Sequence, residues 1–346
     1  MAEEKTEAAL LNVPSGAWDA VFGHERTRAR LARLLREGRV PHALLFSGPK
    51  GVGKKRTALA LSAALLCLAP KDGMACGVCK SCKALAVGTH PDLYAVLPES
   101  SGKAARSIKI EQIRAMRGAV SRAPLLSGRR VVLIDDAETM NDAASNALLK
   151  TLEEPTGDTT FLLITGARQA LLPTIVSRCT DVMFGPLDAE TIARVLETHG
   201  VPEETRGPLA ALSDGSAGHA LRLFSEDALP LRDDAMKTLE SLPDLSTETV
   251  FSLGARLGAL ERERLSEWFR YLRLLLRDLL AIYGGSSALL NADFETRLFA
   301  LSGKLSEARA FLIESEATEA ARRIQTSNAT PRLVVEGFLL RTGSVK

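Results

Sequence analysis

The chain has 346 residues, 46% hydrophobic and 25% charged, with 5% aromatic residues and a formal net charge of +2. This is the composition of a globular, Leu/Ala-rich, helix-heavy protein with room for two or three domains, and a charge so near balance argues against a role dominated by DNA binding. No stretch of about 20 residues is free of charge, which excludes a membrane-spanning helix. The opening "MAEEKTEAALLNVPSG" lacks a basic start followed by an apolar core, so no secretory leader is expected and the expected compartment is the cytoplasm, where thiols stay reduced.

In chain order, residues 18–38 alternate apolar and basic positions at helical spacing. The apolar run "HALLFSG" at 42–48 has the length and flanks of a buried strand, and "KRTALALSAALLC" at 55–67 is a helix by propensity. Between them stands a glycine-rich loop. Two further apolar runs, "RVVLIDDAE" at 130–138 and "TTFLLITGA" at 159–167, read as buried parallel strands, with the helix "AASNALLKTLEE" between them. Buried strands alternating with helices predict an α/β fold, a doubly wound parallel sheet whose ligands bind at the carboxyl ends of the strands. Lys54, Asp135, Asp136 and Thr165 are expected to gather there.

After about residue 186 the strand-like runs stop. "DAETIARVLETHG" and "GPLAALSDGSAGHALRLFSED" predict short helices, and the chain from about 246 is nearly all helix. Within "ERERLSEWFRYLRLLLRDLLAIYGG", Leu265, Phe269, Leu272, Leu276 and Leu279 form one apolar stripe, while Arg264, Arg270, Arg273 and Arg277 lie largely away from it. The stripe reads as bundle core, or as a subunit contact. The basic clusters at 54–56 and 128–130 read first as solvated faces.

The loop "SGPKGVGKK" is one substitution from a phosphate-binding pattern, G-x-x-x-x-G-K followed by Ser or Thr. Gly48, Gly51, Gly53 and Lys54 are present, and backbone amides over 48–53 could cradle phosphates with Lys54 reaching them. Lys55 stands where the hydroxyl that holds magnesium belongs, and it brings a charge of the wrong sign. Thr57, two positions on, points elsewhere. Asp135 closes its strand as a magnesium-coordinating carboxylate would, and Asp136 stands where a base is usually found, one methylene shorter than Glu; Glu138 is set further along.

Cys67, Cys76, Cys79 and Cys82 fall as C-x8-C-x2-C-x2-C. A C-x2-C step puts two thiolates on one turn, and four thiolates make a closed tetrahedral zinc site, structural rather than catalytic. A redox pair would not need the other two. Cys179 is isolated and reads as a small buried apolar residue. "CGVCKSCK" offers only Lys80 and Lys83 and no aromatic ring, which argues against the cluster binding single-stranded nucleic acid.

These pieces together resemble the bacterial clamp-loader AAA+ proteins. "VPHALLFSGPKGVGKKRTALALSAALLC", the cysteine cluster, "VVLIDDAETMNDAASNALLKTLEEP", "FLLITGA" and "TIVSRC" carry the resemblance, with "ALLKTLEEP" and Ser177-Arg178-Cys179 the most specific. It runs from about residue 18 to the end, by layout more than motif in the last third, and is nearest the delta-prime subunits of DNA polymerase III. It implies a RecA-like AAA+ domain with a zinc module (1–185, module 67–82), a small helical lid (186–243) and an all-α collar used for oligomerisation (244–346). It also implies partners: gamma/tau-type ATPase subunits and a delta-type subunit, with the sliding clamp and primed DNA reached through the complex. Arg178, which on residue type alone reads as a surface ion-pair residue, then corresponds to the arginine that enters a neighbour's ATP site. The motor subunits carry a hydroxyl after the loop lysine and a lid arginine in "GS-x-R"; this chain has Lys55 and Gly218, and Arg222 lies a turn beyond. The expectation is a subunit without ATPase activity of its own, holding adenine nucleotide weakly at most and without magnesium. The alternative is an active gamma/tau-like ATPase.

Overall fold

The structure, a computed structural model, describes residues 13, 18–99, 106–154 and 157–343. The segment 1–12, most of the N-terminal stretch read above and Pro155 of "ALLKTLEEP" lie outside them. The chain forms two compact units, Met1–Val195 with Gly215–Gly218, and Leu196–Asp214 with His219–Lys346.

The first unit is built on β1 (Ala43–Ser47), β2 (Leu93–Val96), β3 (Arg130–Ile134), β4 (Thr159–Thr165) and β5 (Thr180–Met183), a parallel sheet in the order β2-β3-β4-β1-β5. The helices are α1 (Glu25–Arg36), α2 (Lys54–Leu66), α3 (Lys80–Ala86), α4 (Ile110–Val120), α5 (Asp142–Glu153) and the short α6 (Pro173–Val176). The central strands β1, β3 and β4 are buried along their whole length, as a sheet covered on both faces requires. Alternation along β1 divides the core. Leu44 and Phe46 pack with Leu61 and Leu65 of α2 on one face, and Ala43 and Leu45 with Ile113 and Met116 of α4 and Leu148 of α5 on the other.

The three runs expected as strands are β1, β3 and β4. The edge strands β2 and β5 were not anticipated: "LYAV" and "TDVM" are four residues long and only partly buried, so they carry little apolar signal. The first helix is shorter than the 18–38 pattern and begins at Glu25, because Gly23 and His24 take left-handed backbone angles just before it.

In the second unit the longest element is Arg262–Tyr283, a helix of 22 residues. In chain order the helices are α7 (Ala189–Thr198, which leaves the first unit), α8 (Glu203–Leu212), α9 (Ala217–Ser225), α10 (Ala228–Ser241), α11 (Thr247–Gly258), α12 (Arg262–Tyr283), α13 (Glu295–Ser302), α14 (Glu307–Thr326) and α15 (Pro331–Thr342). All five predicted stripe residues of α12 are fully buried, together with Trp268, Tyr271 and Leu275. The helix is therefore enclosed on more than one side, packing on α10, α13 and α14. Arg273 and Arg277 are exposed, whereas Arg264 and Arg270 are half-buried. Asp278, also on α12, is buried and accepts from the amides of Leu290 and Asn291 and from Asn291 Nδ2, at 3.1, 2.7 and 2.7 Å. Arg232 of α10 bonds Asn291 and Asp293, tying α10 to the same knot. No helix among the described residues is long and apolar enough to cross a membrane.

A degenerate phosphate loop and a cysteine cluster

Because β3, β4 and β1 are neighbours in the sheet, their carboxyl ends lie side by side, with Ser47 level with Thr165 and Ile134 level with Leu163. The loop 48–53 leaves β1, Asp135 and Asp136 leave β3, and Thr165 ends β4. The structure thus brings together the residues expected to gather there. Thr165 is buried, and its hydroxyl oxygen accepts the Ala167 amide at 3.0 Å.

Every carbonyl of the loop is engaged. Lys54 Nζ donates to Gly48 O and Pro49 O at 2.6 Å each. Ser216 Oγ donates to Lys50 O at 2.8 Å, the Gly218 amide to Gly51 O at 2.9 Å, and the His24 ring meets Val52 O at 2.9 Å. Thr57 closes the set on Gly53 O through its amide and its hydroxyl, at 2.9 and 3.0 Å. Thr57 is fully buried and is spent on the helix's own first turn, as its offset from the loop lysine predicts.

Gly51, with φ of 76°, explains the close approach of residues 215–218: a Cβ there would lie 2.3 Å from Ser216 Oγ. Gly218 faces it, and a Cβ at 218 would lie 3.0 Å from Gly51 Cα. A side chain at 218 would press on the loop backbone.

The charges around the loop neutralise one another. Lys55 Nζ is 3.0 Å from Asp135 Oδ2. Lys50 pairs with Asp136 at 3.5 Å and Glu138 at 3.9 Å, and Glu138 Oε1 also accepts the Gly166 amide at 3.1 Å. Burial lowers the Lys54 pKa, although Glu138, Asp135 and Asp136 pull the other way. Lys50, His24, Ser216 and the full part played by Glu138 were missed from the sequence. Lys50 occupies a variable position of the motif, and the others reach the loop only through the fold.

Cys67 follows α2, Cys76 lies in the loop before α3, Cys79 caps the start of α3 and Cys82 lies in its first turn. Their four sulfurs lie within 4.8 Å of one another. The pairs Cys67–Cys79, Cys76–Cys82 and Cys67–Cys82 are 3.9, 4.0 and 3.8 Å apart. A tetrahedron with metal–sulfur bonds of about 2.3 Å has edges of about 3.8 Å, so the four could hold one zinc-sized ion; a disulfide would need about 2 Å. Burial raises the Cys79 thiol, but the amides of Cys82 and Leu68 outweigh it and bring it down to about 6. Burial and the Cys79 thiol push Cys82 up to about 12.

A buried polar knot holds this cluster to the sheet. The hydroxyls of Ser81 and Ser127 both donate to Leu66 O, at 2.6 and 2.8 Å. His90 Nδ1 accepts the Asp92 amide at 3.1 Å, which leaves Nε2 to donate to Ser81 Oγ at 2.9 Å and Ser127 Oγ at 3.1 Å. Asp92 is fully buried and accepts the amides of Leu125, Leu126 and Ser127 at 2.7, 2.7 and 2.8 Å. Neither His90 nor Asp92 belongs to a recognisable motif, and only the fold exposes their role.

Arg178 lies just after α6. Its Nη2 is 2.6 Å from Glu153 Oε1 and its Nη1 donates to Thr174 O at 2.9 Å, so its bonds go to α5 and its own turn and not to the loop. Cys179 packs half-buried beside the α4–α5 face of the core, and burial, then Asp181, pushes its thiol up to about 11.

The family described as "DNA polymerase III, delta subunit" matches residues 23–188. DNA polymerase III subunit delta' of Escherichia coli is 33% identical over 90% of this chain and 92% of its own length. The same subunit of Pseudomonas aeruginosa is 39% identical over 66% of this chain and 69% of its own. DNA polymerase III subunit tau of E. coli is 37% identical over 70% of this chain but only 36% of its own length. A five-stranded parallel sheet of RecA/AAA+ type, a four-cysteine cluster and a helical C-terminal part accompany that similarity, and the chain belongs to the DNA polymerase III delta-prime subunit family of clamp-loader AAA+ proteins.

Proposed function

We propose that this chain is a non-motor subunit of the clamp loader: it helps to assemble the ring, supplies Arg178 in trans to a neighbour's ATP site, and hydrolyses no ATP itself. The observation that carries the reading is the pair of Lys55 with Asp135. An ammonium stands against the carboxylate that would coordinate magnesium, so a positive charge of the chain's own occupies that carboxylate and opposes a cation there. Gly218, backed against Gly51, adds a second reason: the lid arginine is absent and its place is filled by backbone contact. These two features favour this reading over the gamma/tau-like ATPase.

In this reading Arg178 stabilises charge developing on the phosphoryl group transferred in the neighbouring site, a contribution of about 10³ to 10⁵ in rate for such arginines. Cys67, Cys76, Cys79 and Cys82 hold a structural zinc ion, which would tie the segment between α2 and α3 into one rigid piece. The small lid and the collar are the proposed roles of the helices after residue 186. The proposed partners are gamma/tau-type and delta-type subunits, with the clamp and primed DNA engaged through the assembly in the cytoplasm.

The test is reconstitution. Purified chain mixed with gamma/tau-type and delta-type subunits should enter one complex that loads clamps, while the chain alone should hydrolyse ATP at background. Turnover by the chain alone, abolished by Lys54→Ala, would make it a motor.

A further inference from the structure

If Arg178 acts on a neighbour's nucleotide, it must first leave the partners it has in its own chain. Both terminal nitrogens are committed there: Nη1 to Thr174 O at 2.9 Å, with Ser177 Oγ at 3.5 Å, and Nη2 to Glu153 Oε1 at 2.6 Å. A guanidinium grips two phosphate oxygens through paired N–H groups, and here one member of the terminal pair faces a carboxylate. The Thr174 bond comes from the arginine's own turn and moves with it. Among the described residues Glu153, the last residue of α5, is the one partner brought by another element.

We propose that Glu153 is a holding residue for Arg178: it keeps the guanidinium docked on the free subunit and gives it up to the polyphosphate of a neighbouring subunit's nucleotide on assembly. The proposal rests on the trans-acting reading of Arg178. The exchange favours the phosphate for two reasons. A terminal phosphate carries more negative charge than a carboxylate, and its attraction to the arginine strengthens as the subunit interface excludes water. The hold is also weak enough to break, because Arg178 and Glu153 are 35% and 48% exposed. Nor is Glu153 stranded on release. It lines a shallow concavity of about 620 Å³ with Arg114 and Arg117 of α4 and Lys150 one turn back on α5. On release Glu153 stays half-exposed to solvent, in a concavity whose other charged residues are these three cations and Glu154.

Two measurements test this, both with Glu153→Gln, an exposed helix-end change that leaves the core untouched. In the free full-length chain, modification of Arg178 by phenylglyoxal, followed by peptide mass spectrometry, should run about two- to fivefold faster than in the unmutated chain, the range expected for loss of an exposed pair. An unchanged rate overturns the hold. In the reconstituted loader, Glu153→Gln should lower the KM for ATP by a similar factor with kcat unchanged, and should change nothing when Arg178→Ala is also present. A fall in kcat like that of Arg178→Ala would make Glu153 a positioning residue in the assembled site and overturn the release. An effect that persists without Arg178 would also overturn it. If Arg178→Ala itself leaves the loader unaltered, the trans-acting reading falls and the hand-over with it. If Arg178→Ala impairs the loader but labelling is insensitive to Glu153, only the holding role is lost.

Discussion

Lys55 and Asp135 meet at 3.0 Å across the mouth of the glycine-rich loop, with side chains 29% and 18% exposed. A lysine directly after the loop lysine and a carboxylate at the end of the neighbouring strand system are brought together by the order β3-β4-β1 and nothing local. The contact turns a missing hydroxyl into a self-neutralised site.

The first prediction follows from that contact. Lys55→Thr restores the loop motif yet should leave ATP hydrolysis at background, because Gly218 still offers no arginine and its backbone still lies against Gly51. Lys55→Ala should cost about 1 kcal/mol of stability by leaving Asp135 without its partner. Steady-state phosphate release and urea melts read the two effects; turnover restored by Lys55→Thr alone would mean that the second defect is unimportant.

Zinc should be present at one ion per chain. Cys79→Ser should lower that content and destabilise the 67–82 segment, while the α-helical second unit keeps its melting behaviour. Elemental analysis of protein purified without chelator checks the stoichiometry, and absence of zinc would remove the assignment.

The knot behind the cysteine cluster predicts a pH dependence. Burial lowers the His90 pKa below its ordinary 6.5 despite the neighbouring Asp92. Burial works against the Asp92 carboxylate, but three backbone amides and His90 outweigh it and hold its pKa below 3.8. Both folded values are depressed, so the unfolded chain binds protons first as pH falls. The His90 contribution is fully present above pH 6.5 and is lost as pH falls below it toward the folded value; the Asp92 contribution is lost only below 3.8. Denaturant melts of zinc-saturated protein should show stability declining from pH 6.5 downward, and His90→Ala should cost about 1–3 kcal/mol at pH 8 and flatten that decline. An unchanged slope in the variant would place the acid sensitivity elsewhere.

In the second unit, Asp278→Ala should cost about 3 kcal/mol, because three donors, two of them on the buried Asn291 and one on the half-buried Leu290, lose their acceptor at once. Asp278→Asn should recover part of the loss. Thermal melts suffice, and a change below about 0.5 kcal/mol would show that the knot is dispensable.

How much of this was legible beforehand follows from the range of the signals. The three central strands are five to seven buried residues long, and each was readable as an apolar run. The cysteine cluster was readable because its four cysteines lie close in sequence. The edge strands were not, because half-buried four-residue segments have no periodicity to display. The loop's clamps were not either: Ser216 is 166 residues from Lys50, and His24 is 28 from Val52. Glu153 stood in the "LEEP" stretch, but its pairing with Arg178 depends on α6 returning beside the end of α5, which no spacing announces.

The central claim is that Arg178 completes a site in another subunit, and its most direct test is the clamp- and DNA-stimulated ATPase of reconstituted loaders matched for subunit content. Arg178→Ala should leave folding, zinc content and incorporation unchanged while reducing stimulated hydrolysis and clamp loading together. Arg178→Lys should recover little, since a point charge cannot replace the planar fork. The loss should fall short of the full factor for such arginines, because in the proposed ring the other sites would keep their own. A mutant complex that hydrolyses ATP and loads clamps at the unmutated rate would contradict the account and reduce Arg178 to the surface partner of Glu153.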